Sequence, residues 1–321
     1  MTPKDRAIAA LTLNTPDEAP TFELEFQIEK EMFGKDFMPP DLRKENIGKL
    51  SPIEKERRLC ELADDLVYVY EQLDYAIIPG PYGFDSFDGP AVPQDLRVLH
   101  REIKKRVGNT RMIGYHGDGT FSVPDGNEMY DFAYAIADDP ASLHAQAKRM
   151  MEGAIERNKR LAESGVEALF LCSDYCYNSG PFISPEMFGV FIQPYLAKII
   201  EAARQEGLYT IKHTDGNIMP ILDQLVDCKP HALHSLDPMA GVDIREIKRL
   251  VGHKVCLCGN VNCSLLQSGT EEELAQSARY ALTHGKPGGG YIYCTSNVPF
   301  KGIEPRRYQI VLDEWKKMRG Y

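Results

Sequence analysis

Groups able to bind a metal or move a proton recur in this chain where short apolar runs give way to polar turns. The most informative is His213-Thr214-Asp215-Gly216. A histidine closes an apolar run and a carboxylate follows two residues on. That spacing suits a metal site, or an imidazole oriented by a carboxylate. Asp215 could equally cap the helix that follows. Asp174 comes just after the apolar run Ala168–Leu171, either as a working carboxylate or as an ordinary turn former. His116, in Gly114-Tyr115-His116-Gly117-Asp118, reads as a proton donor, a substrate contact or a satisfied core histidine. Tyr82, Tyr115, Asn260 and Asn262 stand at comparable run ends, and with His116 they would line a substrate cleft.

The cysteines divide into two groups. Cys256, Cys258 and Cys263 follow no structural zinc spacing, and they read as small buried hydrophobes. Cys294 closes the last apolar run, where it could meet His213. A neutral imidazole with a thiolate suits Zn²⁺, so the candidate ligand set is His213, Cys294 and Asp215. Gly288-Gly289-Gly290 precedes a strand rather than opening a helix, which marks a tight turn and not a dinucleotide fingerprint.

Eight runs have strand character: Pro20–Phe26, Tyr75–Pro79, Thr110–His116, Ala168–Ser173, Leu208–His213, Ala232–Leu236, Lys254–Gly259 and Gly290–Thr295. Helical patterns fall between most of them. Ser51–Leu73 carries Leu59, Leu62, Leu66, Val69 and Leu73 at helical spacing. Ser142–Ala162, Pro185–Glu206, Gly216–Val226, Asp243–Val251 and Thr270–His284 read likewise. Strands alternating with helices imply a parallel sheet, and eight of them imply a (β/α)₈ TIM barrel. A doubly wound sheet is the structural alternative. In a barrel, every polar run end would converge on one mouth. The expected organisation is a single barrel domain over 1–321, with an N-terminal helical elaboration at about 27–74.

Composition narrows the setting. Hydrophobic residues make up 43% and charged residues 26%, an ordinary globular balance. The net charge of −10 opposes nucleic acid as a partner. The basic stretch Arg101–Arg106 reads as a solvated helix face. No apolar run approaches the ~18 residues of a membrane helix, and Ala7–Leu13 is too short for a signal peptide. A cytoplasmic chain with no membrane association is expected. Its eight cysteines would then be thiols or ligands rather than disulfides.

Several stretches resemble the uroporphyrinogen decarboxylase superfamily, which also holds zinc methyltransferases working with methylated corrinoid proteins. They are Ser173-Asp174 through Ser179-Gly180-Pro181-Phe182-Ile183-Ser184-Pro185-Glu186-Met187-Phe188, Gln193-Pro194-Tyr195-Leu196, and His213 to Ile218. Gly259-Asn260-Val261 and Pro287-Gly288-Gly289-Gly290-Tyr291-Ile292 complete them. Order and spacing agree from about residue 160 to the end. Thr2–Arg6 and Ile113–Asp118 extend the likeness more loosely towards the N-terminus. The resemblance implies a (β/α)₈ barrel with its cleft at the strand ends.

Decarboxylases of the superfamily carry an Arg-rich stretch after the first strand that clamps substrate carboxylates. Here Glu23-Leu24-Glu25-Phe26-Gln27-Ile28-Glu29 stands in its place, acidic and without Arg. Like charges argue against a polycarboxylate there. The resemblance to the corrinoid-dependent methyltransferases is nearer. Their thiol-methylating members use His-x-Cys on the fifth strand and a second Cys near the eighth. His213 matches the histidine, Asp215 stands where the first Cys would be, and Asn297 falls nearest the second, with Cys294 three residues earlier. The change implies a harder, oxygen-containing metal site.

The expectation is a metal-assisted methyltransferase with catalytic groups Asp174, His213 and Asp215. It would move methyl between a methoxy-, amine- or thiol-type molecule and a corrinoid carried by a partner protein, since this length leaves no room for a cobalamin domain. A tetrapyrrole decarboxylase and a non-catalytic barrel are the rival readings. A homodimer is an assembly such a barrel could form.

Overall fold

Parallel strands cannot be joined by tight turns, so each pair needs a crossover, and here the crossovers are mostly helical. The computed structural model describes residues 1–81, 92–126 and 128–321. Seven parallel strands form one sheet: Ile77–Pro79, Met112–His116, Ala168–Leu171, Tyr209–His213, Ala232–His234, Cys256–Cys258 and Tyr291–Ile292. Their spatial order follows the chain order. Their residues are almost all buried, as both faces of a barrel stave require.

The expected strand Pro20–Phe26 is far shorter. It is reduced to Thr21, which bridges Tyr75 on one side and Tyr293 on the other, both parallel. The two bridges close the sheet on itself, which makes the architecture a (β/α)₈ barrel and not a doubly wound sheet. Thr21 Oγ1 adds a 2.8 Å bond to the Tyr293 carbonyl, and the Tyr293 amide donates to Pro20 O. The last helix, Pro305–Met318, covers this seam, with Trp315 Nε1 donating to Ala19 O at 2.9 Å.

Within 27–74 the chain forms helices Glu29–Phe33, Lys44–Ile47 and Pro52–Gln72. The longest starts at a reciprocal cap, Ser51 with Glu54, and buries Leu59, Leu62, Leu66 and Val69 as their spacing predicts. The basic stretch lies on helix Gln94–Val107, where Lys104, Lys105 and Arg106 pair with Glu167, Glu102 and Asp64. Beyond the Ala168–Leu171 strand, a small antiparallel hairpin pairs Cys176–Tyr177 with Gly180–Pro181, a feature the sequence pattern does not signal. Helix Pro185–Phe191 follows it, capped by Ser184.

Candidate active site at the barrel mouth

His213 is the last residue of its strand and lies in register with His234 on the next one. Paired residues of neighbouring parallel strands share a face, so the two rings meet. Their Nδ1 atoms are 2.9 Å apart. Only one hydrogen can occupy that gap, so one ring donates and the other accepts. His234 is buried, and burial first, with His213 beside it, holds its imidazole well below the ordinary value. It is therefore neutral at physiological pH.

The other nitrogen of His213 faces two carboxylates. Nε2 lies 3.6 Å from Asp174 Oδ1 and 3.8 Å from Asp215 Oδ1. Ligand atoms of Asp174, His213 and Asp215 all lie within 4.8 Å of one another, a grouping found nowhere else among the described residues. The observed gaps are close to the ~3.4 Å that separates two donors each ~2.1 Å from one tetrahedral ion. With the shared hydrogen on His213 Nδ1, the Nε2 lone pair points at two anions and calls for a cation between them. One imidazole and two carboxylates form a harder donor set than imidazole with thiolates.

Asp215 is oriented from behind. Ser235 Oγ donates to its Oδ1 at 2.7 Å, and Asn297 Nδ2 to its Oδ2 at 2.5 Å. Ser235 and Leu236 adopt left-handed backbone, φ 82° and 50°, which costs of order 1 kcal/mol each for residues with a side chain. The turn brings the Ser235 hydroxyl back onto Asp215. The capping role once open to Asp215 is not used: the helical turns that follow, Met219–Ile221 and Leu222–Asp227, have no side-chain cap, and Asn217 Oδ1 accepts locally from Met219 N at 3.1 Å. Asp215 is thus free for the site. Its amide also donates to Asp174 Oδ1 at 3.0 Å, tying the two carboxylate loops together. Asp237 lies nearby, and burial, with the Asp215 charge, raises its carboxyl.

Gly216 makes this close approach feasible. Its φ is +80°, and a Cβ there would sit 2.6 Å from the carbonyl oxygens of Cys176 and Tyr177.

The other candidates are placed differently. Cys294 is not in the ligand group. It is fully buried, and burial, then Glu23 and Cys256, hold its thiol well above the usual value, so it is a protonated core residue. Asn260 is buried and spends its amide on Leu236 O at 2.8 Å. Asn262 Oδ1 accepts from Ser264. Both asparagines line a cleft of about 610 Å³ with Asp243, Glu273 and Tyr280, and none of the three ligand-type residues borders it. Tyr115 is buried against His100, and Gly80 leaves room for its ring, so it is a packing residue and not a cleft wall. Tyr82 lies outside the described residues.

His116 does reach the mouth, with Nε2 3.6 Å from Glu25 Oε1. Burial works against its charged form, but the Cys172 sulfur and Glu25 outweigh burial and hold the ring well above its ordinary value. Glu23 corrects the picture of an acidic wall: it is buried, with Oε1 accepting from the Thr295 amide and the Tyr308 hydroxyl and Oε2 2.6 Å from Thr295 Oγ1. Only Glu25 of that stretch stands beside His116.

Sequence reasoning passed over His234, Ser235 and the role of Asn297. Only His234 left a usable signal, a histidine at the equivalent position of the next strand.

Comparisons with known proteins agree with this architecture. The uroporphyrinogen decarboxylase (URO-D) family model matches residues 123–307. The chain is 24% identical over 235 residues to a uroporphyrinogen decarboxylase of Shewanella halifaxensis, covering 67% of this chain and 60% of that one. It is 25% identical over 244 residues to that of Thioalkalivibrio sulfidiphilus, covering 70% and 64%. The matches thus span less than two thirds of these relatives. A solved methyltransferase from Methanosarcina mazei has the same fold, with TM-score 0.70, 18% identity and 99% of both chains covered. The barrel, its strand order and the matched segment together place this chain in the uroporphyrinogen decarboxylase family.

Proposed function

We propose that this chain is a cytoplasmic methyltransferase. It moves a methyl group between a small methoxy-, amine- or thiol-type molecule and a corrinoid protein, assisted by a divalent metal such as zinc. The observation that carries the reading is the convergence of Asp174, His213 and Asp215 at the strand ends, with His213 Nε2 facing both carboxylates. A metal held there supplies Lewis acidity at the heteroatom that gains or loses methyl.

The chain's own part is orientation. With a metal held there, the one hydrogen between the two rings would sit on His213 Nδ1, and His234, 2.9 Å away, would accept it and keep the Nε2 lone pair directed at the site. Ser235 and Asn297 fix both oxygens of Asp215. Asp174 is 46% exposed and is the group best placed to exchange a proton with an incoming molecule. Tyr177, Met187, Val190, Met219 and Met239 are exposed on segments that follow the strand ends, and they offer apolar surface to a corrinoid protein docking over the mouth.

The tetrapyrrole decarboxylase reading rests on the names of the relatives. Residues 23–29 hold no basic side chain to clamp carboxylates, and Glu25 would repel them at the mouth.

The test is metal analysis of protein purified without added metal, beside His213→Ala. A metal near one per chain that is lost in the variant supports the proposal. Methyl transfer from candidate donors to a corrinoid protein then identifies the substrate. Metal-free protein that turns over a porphyrinogen refutes it.

A further inference from the structure

Behind Asp174 and His213 lies an ion pair shut off from solvent. Lys212 Nζ is 2.9 Å from Asp118 Oδ2, with the side chains 0% and 9% exposed. Lys212 precedes His213 on the same strand, so the two side chains take opposite faces. An ammonium in such a place is costly unless every hydrogen is used. Here all three are. Besides Asp118, Nζ donates to Leu171 O at 3.0 Å and Ser173 O at 2.8 Å, and it rests 4.0 Å from the centre of the Tyr175 ring.

Asp118 is equally committed. Its Oδ1 accepts from Gly119 N, Thr120 N and Thr120 Oγ1, and its Oδ2 accepts from Ser173 N at 3.1 Å. Ser173 is therefore gripped at both backbone groups, its N–H by Asp118 and its C=O by Lys212. On the other side of Asp174, Tyr175 N donates to Thr214 Oγ1 at 2.8 Å, and its hydroxyl pairs with Thr120 at 2.6 Å. Asp174 is the half-exposed tip of a segment held on both flanks. Apolar residues could fill the same volume at similar stability. Only directional bonds fix the segment's position.

We propose that the Lys212–Asp118 pair is the positioning device of this site, setting where the Asp174 carboxylate stands against His213 and thereby the affinity for metal. The inference rests on the metal reading above. Both residues are positioning residues, since neither reaches the mouth.

The test uses the full chain with Lys212→Met/Asp118→Asn, which leaves neither charge buried alone, and with Asp118→Asn, which removes a charge and no atoms. Folding is followed by circular dichroism. The readouts are Co²⁺ titration with its visible spectrum, and the ¹⁵N resonance of His213 Nε2 in metal-free protein. The expected result is folded variants that bind Co²⁺ about tenfold or more weakly, with an altered spectrum and a displaced His213 resonance. A folded double variant with wild-type affinity and resonance overturns the proposal. Wild-type protein that binds no Co²⁺ defeats the metal reading instead, and the resonance alone then decides, displaced in support and unmoved against. A double variant that does not fold leaves the decision to Asp118→Asn on the same readouts.

Discussion

Glu23 gives the sharpest quantitative prediction. The carboxyl is buried, and desolvation raises it to about 8 against bonds from Thr295 and Tyr308 that work the other way. The hydrogen-bond count agrees. Thr295 Oγ1 lies 2.6 Å from Glu23 Oε2 and 3.0 Å from the Asn297 carbonyl. One hydroxyl hydrogen cannot serve both acceptors, and a proton on Glu23 supplies the second bond. A neutral carboxylic acid fits this geometry.

The unfolded chain ionises Glu23 near its ordinary value of 4.5. Between there and about pH 8 the folded state holds a proton that the unfolded state has lost. Stability therefore falls as pH rises through that window and levels off above it. Its depth is the difference between the two values, at about 1.4 kcal/mol per unit, or about 5 kcal/mol. Glu23→Gln removes the titration and keeps a donor in the Oε2 position. Urea unfolding of both proteins at pH 5, 6.5 and 8.5 isolates the effect. The stability difference, variant minus wild type, should grow by several kcal/mol across the series. A difference that stays constant would show that Glu23 is ionised in the fold and refute the reasoning.

Two further outcomes follow from the site. Gly216→Ala places a Cβ against two backbone carbonyls at positive φ, so it should lower the unfolding free energy by about 2–3 kcal/mol and weaken metal binding in the same titration. Cys294→Ala should cost about 1–2 kcal/mol in denaturant unfolding through lost packing while leaving the metal content unchanged; loss of metal in that variant would return Cys294 to the ligand set.

Strands were legible because a buried stave needs an apolar run, and Ala168–Leu171 or Ala232–His234 hardly read otherwise. His213, Asp174 and Asp215 were legible because a polar group just past such a run must open onto the mouth. What failed was facing and partnership. Cys294 and Asn260 also lie at run ends, yet one is sealed in the core and the other is spent on Leu236 O. Glu23 looked like part of an acidic wall because nothing local reveals a partner 272 positions away. Lys212 and Asp118 were invisible for the same reason, being 94 positions apart. A lysine inside a strand looks like a surface residue until the fold supplies its acceptors.

The seam at Thr21 has a consequence for how this protein can diverge. Elsewhere around the barrel, each stave is bound to its neighbours through a hydrogen-bonded register that constrains every residue in it. The first stave is bridged at one residue and then leaves the ladder. The segment beyond it, which carries Glu25 to the mouth beside His116, obeys no register. Glu23, Leu24 and Phe26, which flank Glu25, are buried and hold the segment in place, whereas an exchange at Glu25 itself spares the frame and the three converging ligand-type side chains. Within this architecture, the position of Glu25 is where one lineage can acquire a new preference while the rest of the barrel stands still.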